Sequence, residues 1–110
     1  MKDGLKISED GGILTALICC EIDHHTAKLL RDRIDIMLFE RKPRLLVMDF
    51  SGVGFMDSSG IGLIIGRAER AEAVGATVRI EGLSATLQKL LRIAGLERIK
   101  NLTVVRKERI

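Results

Sequence analysis

The sequence predicts an α/β fold: a single domain over residues 1–110, with a mixed, mostly parallel sheet of about five strands and helices packed on it. Three observations carry this. Short apolar runs alternate with longer stretches of helical periodicity. Glycines and helix-capping residues fall between them. A chain of 110 residues is long enough to bury one real core and calls for no second domain. Strands alternating with helices imply parallel crossovers, which are right-handed almost without exception.

Leu5 to Ser8 opens as a short strand, and Glu9, Asp10, Gly11 and Gly12 fold it back on the next as a hairpin. Ile13 to Ile22 is apolar nearly throughout and reads as an inner strand. Asp23, His24, His25 and Thr26 interrupt it. Ala27, Leu30, Ile34, Met37 and Leu38 then keep helical spacing, so a first helix runs from His24 to Glu40, and Pro43 prevents its continuation. Lys28 with Asp32 and Arg31 with Asp35 are spaced for ion pairs on its wet side.

The stretch from Leu45 to Gly66 organises the chain. Leu45, Leu46, Val47, Met48 and Phe50 form an apolar run with Asp49 as its only charge, as expected of a strand covered on both faces. Gly52 and Gly54 break the run, and Asp57, Ser58 and Ser59 are residue types that cap the free N–H groups of a helix start. Ile61, Ile64, Ile65, Ala68 and Ala71 would face the sheet, with Ser59, Gly62, Leu63, Gly66 and Arg70 opposite. Two glycines four apart in a helix cost on the order of 1 kcal/mol each relative to alanine. They either leave a low face, with Leu63 exposed, on which another protein can lie, or they relieve crowding; spacing leaves both readings open.

Beyond it, Gly75 stands at a helix end and Ala76 to Ile80 alternates as a strand. Ser84 caps a helix carrying Leu87, Leu90, Leu91 and Ala94, closed by Gly95. Leu102 to Val105 supplies a last strand, and Arg106 to Ile110 is a charged tail.

Composition narrows the function classes. Lys and Arg number 18 against 15 Asp and Glu, a net charge of +3 carried by interspersed residues, which suits a solvated surface. With no Trp, no Tyr and three Phe there is little for bases to stack on, which disfavours direct nucleic-acid binding. Cys19 and Cys20 are adjacent, point to opposite sides of an extended chain and read as buried, unpaired thiols of a reducing compartment. Met1 to Leu5 has no apolar stretch of signal-peptide length, and no run approaches the ~18 apolar residues of a membrane span. A cytoplasmic protein, free of the membrane and monomeric when unbound, is expected.

Partners of such sheets meet the loops beyond the carboxyl ends of the strands. That places Asp23, His24 and His25 on one rim with Asp57 and Ser58. A hydrolase could be drawn there from a serine, a histidine and an aspartate, but the G-x-S-x-G elbow is missing. Neighbouring histidines alternate in direction and are poorly placed to share a metal. Gly52-Val53-Gly54 resembles the front of a dinucleotide fingerprint, yet Asp57 takes the place of its third glycine. A small-molecule or metal-dependent enzyme using Asp23, His24 and Ser58 remains the alternative reading.

Two segments, Glu21-Ile22-Asp23-His24-His25-Thr26-Ala27 and Phe55-Met56-Asp57-Ser58-Ser59-Gly60-Ile61-Gly62, together resemble the STAS-domain anti-sigma factor antagonists over nearly the whole chain. The paired histidines favour the sporulation members over the general stress-response members. The resemblance implies a non-enzymatic switch. The unphosphorylated form would bind an anti-sigma factor that is also a serine kinase, releasing the sigma factor; phosphorylation of Ser58 would end binding, and a serine phosphatase would reset it. No cofactor is implied, since ATP would be held by the kinase. By the same carry-over Asp23 lies beside the acceptor; the docking surface expected on this and on the low glycine face of the helix comprises Asp23, His24, Asp57, Ser58, Ser59, Gly60, Gly62, Leu63 and Gly66. Cys20 stands where the family usually has glycine.

Overall fold

The hairpin forms where paired glycines permit it. In the computed structural model, which describes residues 4–105, β1 (Leu5–Asp10) turns into β2 (Ile13–Ile18) through Gly11 and Gly12, whose φ angles are 57° and 84°. A two-residue turn of this hand needs positive φ at both positions, which side chains resist. The chain then alternates: α1 (His24–Arg41), β3 (Leu45–Asp49), α2 (Ser58–Ala73), β4 (Thr77–Glu81), α3 (Ala85–Ile93), a 3₁₀ turn at Leu96–Arg98, and β5 (Leu102–Val104). The sheet order follows the chain, β1-β2-β3-β4-β5, with β1 antiparallel and the other pairings parallel.

Each crossover steps one strand in the same direction, and right-handed crossovers of that kind put every helix on one face of the sheet. The core agrees. Leu14 and Ala16 of β2 pair in register with Leu46 and Met48 of β3, and these with Val78 and Ile80 of β4; with Ile18 they share one cluster with Leu30, Ile34 and Leu38 of α1, Ile64 and Ala68 of α2, and Leu87 and Leu91 of α3. Val47 lies outside that cluster. The expectation of a strand covered on both faces holds for its middle residues: Leu46 and Met48 enter the helical layer, while Val47 points to the other face, where its cross-strand neighbours are Thr15 and Arg79. It too is buried, at 4% exposure.

Other expectations shift in detail. The second strand leaves the ladder at Ile18 and not at Ile22, because the chain must bend toward the start of α1. Cys19 is consequently exposed and Cys20 half-buried, both free thiols, in place of the buried pair expected. Burial against the core pushes the Cys20 thiol up from its ordinary value. Among non-glycine described residues only Lys42 has positive φ, so a cysteine at position 20 sits on ordinary backbone. The ion pairs of α1 also differ. Arg31 meets its neighbour Asp32 at 3.0 Å, and Asp35 turns away from Arg31 to reach Arg67 of α2. The tail from Arg106 to Ile110 lies outside the described residues.

Candidate functional site

The rim is built from the two segments that follow β2 and β3. They are laced together by backbone: the Ile22 N–H donates to the Phe55 carbonyl at 3.0 Å, and the Asp57 N–H donates to the Ile22 carbonyl at 3.1 Å, forming a parallel bridge between Ile22 and Met56. One residue later on each side a helix begins, so Asp23 and Asp57 are held as the N-caps of α1 and α2.

Each carboxylate has a defined task. Asp23 Oδ1 accepts the Thr26 N–H at 2.9 Å, and Thr26 Oγ1 accepts the Asp23 N–H at 2.9 Å, a reciprocal capping box with threonine where glutamate is commoner. The Thr26 hydroxyl also donates to the Glu21 carbonyl at 2.8 Å. Hydrogen bonding from the Thr26 amide holds the Asp23 carboxyl below its ordinary range. Asp57 Oδ1 accepts the Ser59 N–H at 2.8 Å.

Ser58 is the first residue of α2 and is exposed. No hydrogen bond among the described residues engages its hydroxyl. It lies at the positive end of a sixteen-residue helix, where free N–H groups tolerate an anion. His24 and His25 are exposed at the start of α1. Both aspartates direct Oδ1 to a helix-start amide, and no hydrogen bond among the described residues joins either of them to a histidine ring, as a serine triad would require.

The glycines of this region divide by what surrounds them. A Cβ at Gly60 would run into the Met56 side chain, and one at Gly52 would come within 2.9 Å of the Ile18 carbonyl. These two are required by close packing. Around Gly62 and Gly66 a Cβ would meet nothing within 4 Å. Relief of crowding therefore does not explain them, and they leave a low, open stripe on α2.

The face assigned to α2 needs one correction. Leu63 is buried at 4% exposure, whereas Ile65 is at 36%. Helix α1 packs beside α2, so the flank carrying Leu63 and Arg67 is covered together with the flank on the sheet. Leu63 is core, and the open stripe consists of Ser59, Gly62, Gly66 and Arg70, half-buried or exposed.

Sequence reading missed Arg67 altogether. It is 4% exposed, with Nε 2.7 Å from Asp35 Oδ1. The oxygen lies off the N–H direction, so this is a contact of charges without an in-line hydrogen bond. Burial pushes the guanidinium down from its ordinary value and the Asp35 charge opposes that. The available signal was a lone arginine within an apolar arc of α2, with an aspartate on the neighbouring helix.

The domain is one sheet and one layer of helices, with two capped helix starts sharing one rim. The profile of the STAS domain matches residues 5–108, and the chain belongs to that family. Its relatives include the anti-sigma F factor antagonist of Lysinibacillus sphaericus, 34% identical over 76 residues, which cover 69% of this chain and 65% of that one. The anti-sigma F factor antagonist of Paenibacillus polymyxa is 28% identical over 95 residues, covering 86% and 81%. Among solved structures, the Bacillus cell fate determinant SpoIIAA in its phosphorylated form superposes with a TM-score of 0.71 at 25% identity, covering 94% of this chain and 92% of that one. Anti-sigma factor antagonists are regulatory proteins, and no helix among the described residues is long and apolar enough to cross a membrane.

Proposed function

We propose that this chain is a phosphorylation-controlled anti-sigma factor antagonist whose switch is Ser58. Unmodified, it binds an anti-sigma factor that is also a serine kinase, and the sigma factor is released. The kinase holds ATP; the Ser58 Oγ attacks the γ-phosphorus, ADP leaves, and the hydroxyl proton passes to a base of the kinase. A serine phosphatase restores the hydroxyl. The docking surface is the rim of Asp23, His24, Asp57, Ser58 and Ser59, continued along α2 by Gly62 and Gly66, with Gly60 and Leu63 supporting it from beneath. The free thiols of Cys19 and Cys20 suit a reducing cytoplasm.

The observation that carries this reading is the exposed, unengaged Ser58 hydroxyl at the first turn of α2, between two aspartates whose oxygens already serve as caps. Phosphate there adds about −1.5 to −2 charges at a helix end that accommodates anions, so the fold persists. The rim, however, gains a third acidic group beside Asp23 and Asp57. A partner presenting nucleotide phosphates or carboxylates is then repelled. The change acts on the interface and leaves folding intact.

The test is incubation with the cognate anti-sigma kinase and ATP, followed by peptide mass spectrometry. A single phosphate on Ser58, absent in Ser58→Ala, is the expected result. Phosphate on another residue, or none, overturns it.

A further inference from the structure

We propose that the groove between α3 and the loop leading to α2 binds a free fatty acid, a single hydrocarbon chain with a carboxylate head, at a site the switch at Ser58 does not use. Two elements shape the groove. On α3, Leu87, Leu90 and Ile93 are three residues apart and so line one face. Across from them lie Gly54, Phe55 and Met56. Leu87 and Met56 are buried and form the floor, whereas Phe55 at 52% and Ile93 at 75% exposure stand in water as its walls. A lone exposed apolar residue calls for no explanation, but two that border one groove make a patch that covering stabilises. Gly54 has open space where a side chain would stand, which leaves the loop side unobstructed.

Size favours a small ligand. The groove holds about 370 Å³, within the range of small-molecule sites. The stretch of α3 that lines it, Thr86 to Ile93, is roughly 10 Å long at about 1.5 Å per residue. A stable protein partner covers about 800 Å² on each side, far more than so short a groove offers.

Charge selects the head group. Helix α3 carries Lys89 and Arg92 and no acidic residue, and Gly54, Phe55 and Met56 add none. Lys89 lines the groove, is exposed and has no salt bridge among the described residues. The next acid along the loop, Asp57, turns its Oδ1 to the Ser59 N–H at the start of α2. Thr86 adds a hydroxyl to the lining. One uncompensated cation and one hydroxyl beside an apolar trough match a carboxylate on a hydrocarbon chain. A cationic amphiphile is opposed by Lys89, and a neutral one leaves its charge unused.

The experiment titrates sodium octanoate, decanoate and dodecanoate, each below its micelle concentration, into the full labelled chain, with amide shifts and calorimetry as readouts. Saturable shifts concentrated at residues 54–56 and 86–93 are expected. Each added methylene should tighten binding by up to roughly fourfold, the fold-change equivalent to ~0.8 kcal/mol for a fully buried CH₂. Decanol separates the chain from the head. Lys89→Gln should weaken decanoate by roughly threefold to fivefold, about the most an exposed ion pair contributes, and leave decanol unaffected. Ile93→Ser changes an exposed position, so it should weaken both ligands while melting within a few degrees of the wild type. The control Lys100→Gln binds decanoate as the wild type does.

Affinity independent of chain length overturns the proposal, as does Lys89→Gln binding decanoate like the wild type, or shifts scattered over surface lysines and arginines. Ligand-free protein that dimerises, with the dimer lost in Ile93→Ser, would make a second copy of this chain the occupant and overturn it too. So would binding to phosphatidylglycerol vesicles with no saturable binding of decanoate, which would place a membrane surface on the groove.

Discussion

The Asp57 amide donates to the Ile22 carbonyl at 3.1 Å, and together with the Ile22 amide's bond to the Phe55 carbonyl it ties the starts of α1 and α2 together. Asp57 thus has two roles, as its backbone ties the two rim segments while its side chain caps the helix that begins with Ser58. Asp57→Ala keeps the first and deletes the second. Loss of an N-cap costs about 1 kcal/mol, and in a domain of this size that lowers Tm by roughly 4–8 °C. Asp57→Asn, which still accepts from the Ser59 N–H, should recover most of the loss in a thermal melt followed by circular dichroism. Equal melting of Asp57→Ala and wild type would show that the cap contributes nothing.

Asp23 makes acid stability a measurable property of the rim. Its folded carboxyl is held below the ordinary aspartate value of 3.8 by the Thr26 amide. A carboxyl depressed by folding contributes stability above its unfolded value, and that contribution is lost as pH falls through the folded value. Wild-type stability should therefore decline from just below pH 4 downward, and Asp23→Asn should show a shallower decline there. Denaturant melts at successive pH values measure it, and parallel curves would contradict the capping role.

Substitutions at Ser58 separate charge from shape. Ser58→Ala removes the acceptor while leaving the rim charge alone, so the anti-sigma partner should stay bound in the presence of ATP. Ser58→Asp places a carboxylate at a helix N-terminus, which that end tolerates, and partner binding should weaken at least tenfold with Tm unchanged or slightly raised. A pull-down in which Ser58→Asp binds like wild type would remove the electrostatic mechanism.

The order and type of elements were legible in the sequence because periodicity and turn chemistry are local. Gly11-Gly12, Pro43, Gly75 and Gly95 punctuate the chain where the elements end. The motif residues were legible too, since Asp23 and Asp57 act as caps on residues two or three positions away. What escaped depends on neighbours distant in sequence. Leu63 reads as exposed from the arc of α2 alone, and only α1, lying alongside, buries it. The same packing takes Asp35 away from Arg31 and gives it to Arg67, thirty-two residues on. Ile13 to Ile22 reads as one strand because Cys19 and Cys20 are apolar, but the bridge from Ile22 to Met56 belongs to the rim and not to the ladder.

The pair of Arg67 and Asp35 should be costly to break and cheap to replace. Removing one partner of a buried ion pair typically costs 3–5 kcal/mol, because the other charge is left unpaired. Asp35→Ala strands Arg67, whose side chain is 5% exposed; the Asp35 side chain is 26% exposed, so water softens the effect toward about 3 kcal/mol. Asp35→Leu/Arg67→Met should return to within about 1 kcal/mol of the wild type, as buried pairs replaced by apolar side chains of similar volume often do. Urea melts of the single and double variants decide it, and additive losses would show that the two residues do not act as a pair.

The glycines of α2 give opposite outcomes from similar substitutions. Gly60→Ala drives a methyl into the Met56 side chain, at its Cγ as well as its sulfur, so the buried Met56 or the start of α2 must shift. Overpacking of this kind costs about 1–3 kcal/mol, which more than offsets the better helix propensity of alanine. At Gly62 and Gly66 the added atoms enter open space, so Gly62→Ala should stabilise by about 0.5–1 kcal/mol. Gly66→Gln should likewise leave Tm unchanged or raised, yet it erects a side chain on the stripe along which the partner is proposed to lie. Stability and binding then move in opposite directions, with a higher melting temperature accompanied by weaker capture of the anti-sigma factor. If Gly66→Gln lowers Tm and leaves binding intact, the glycines serve packing within the domain and the stripe is not part of the interface.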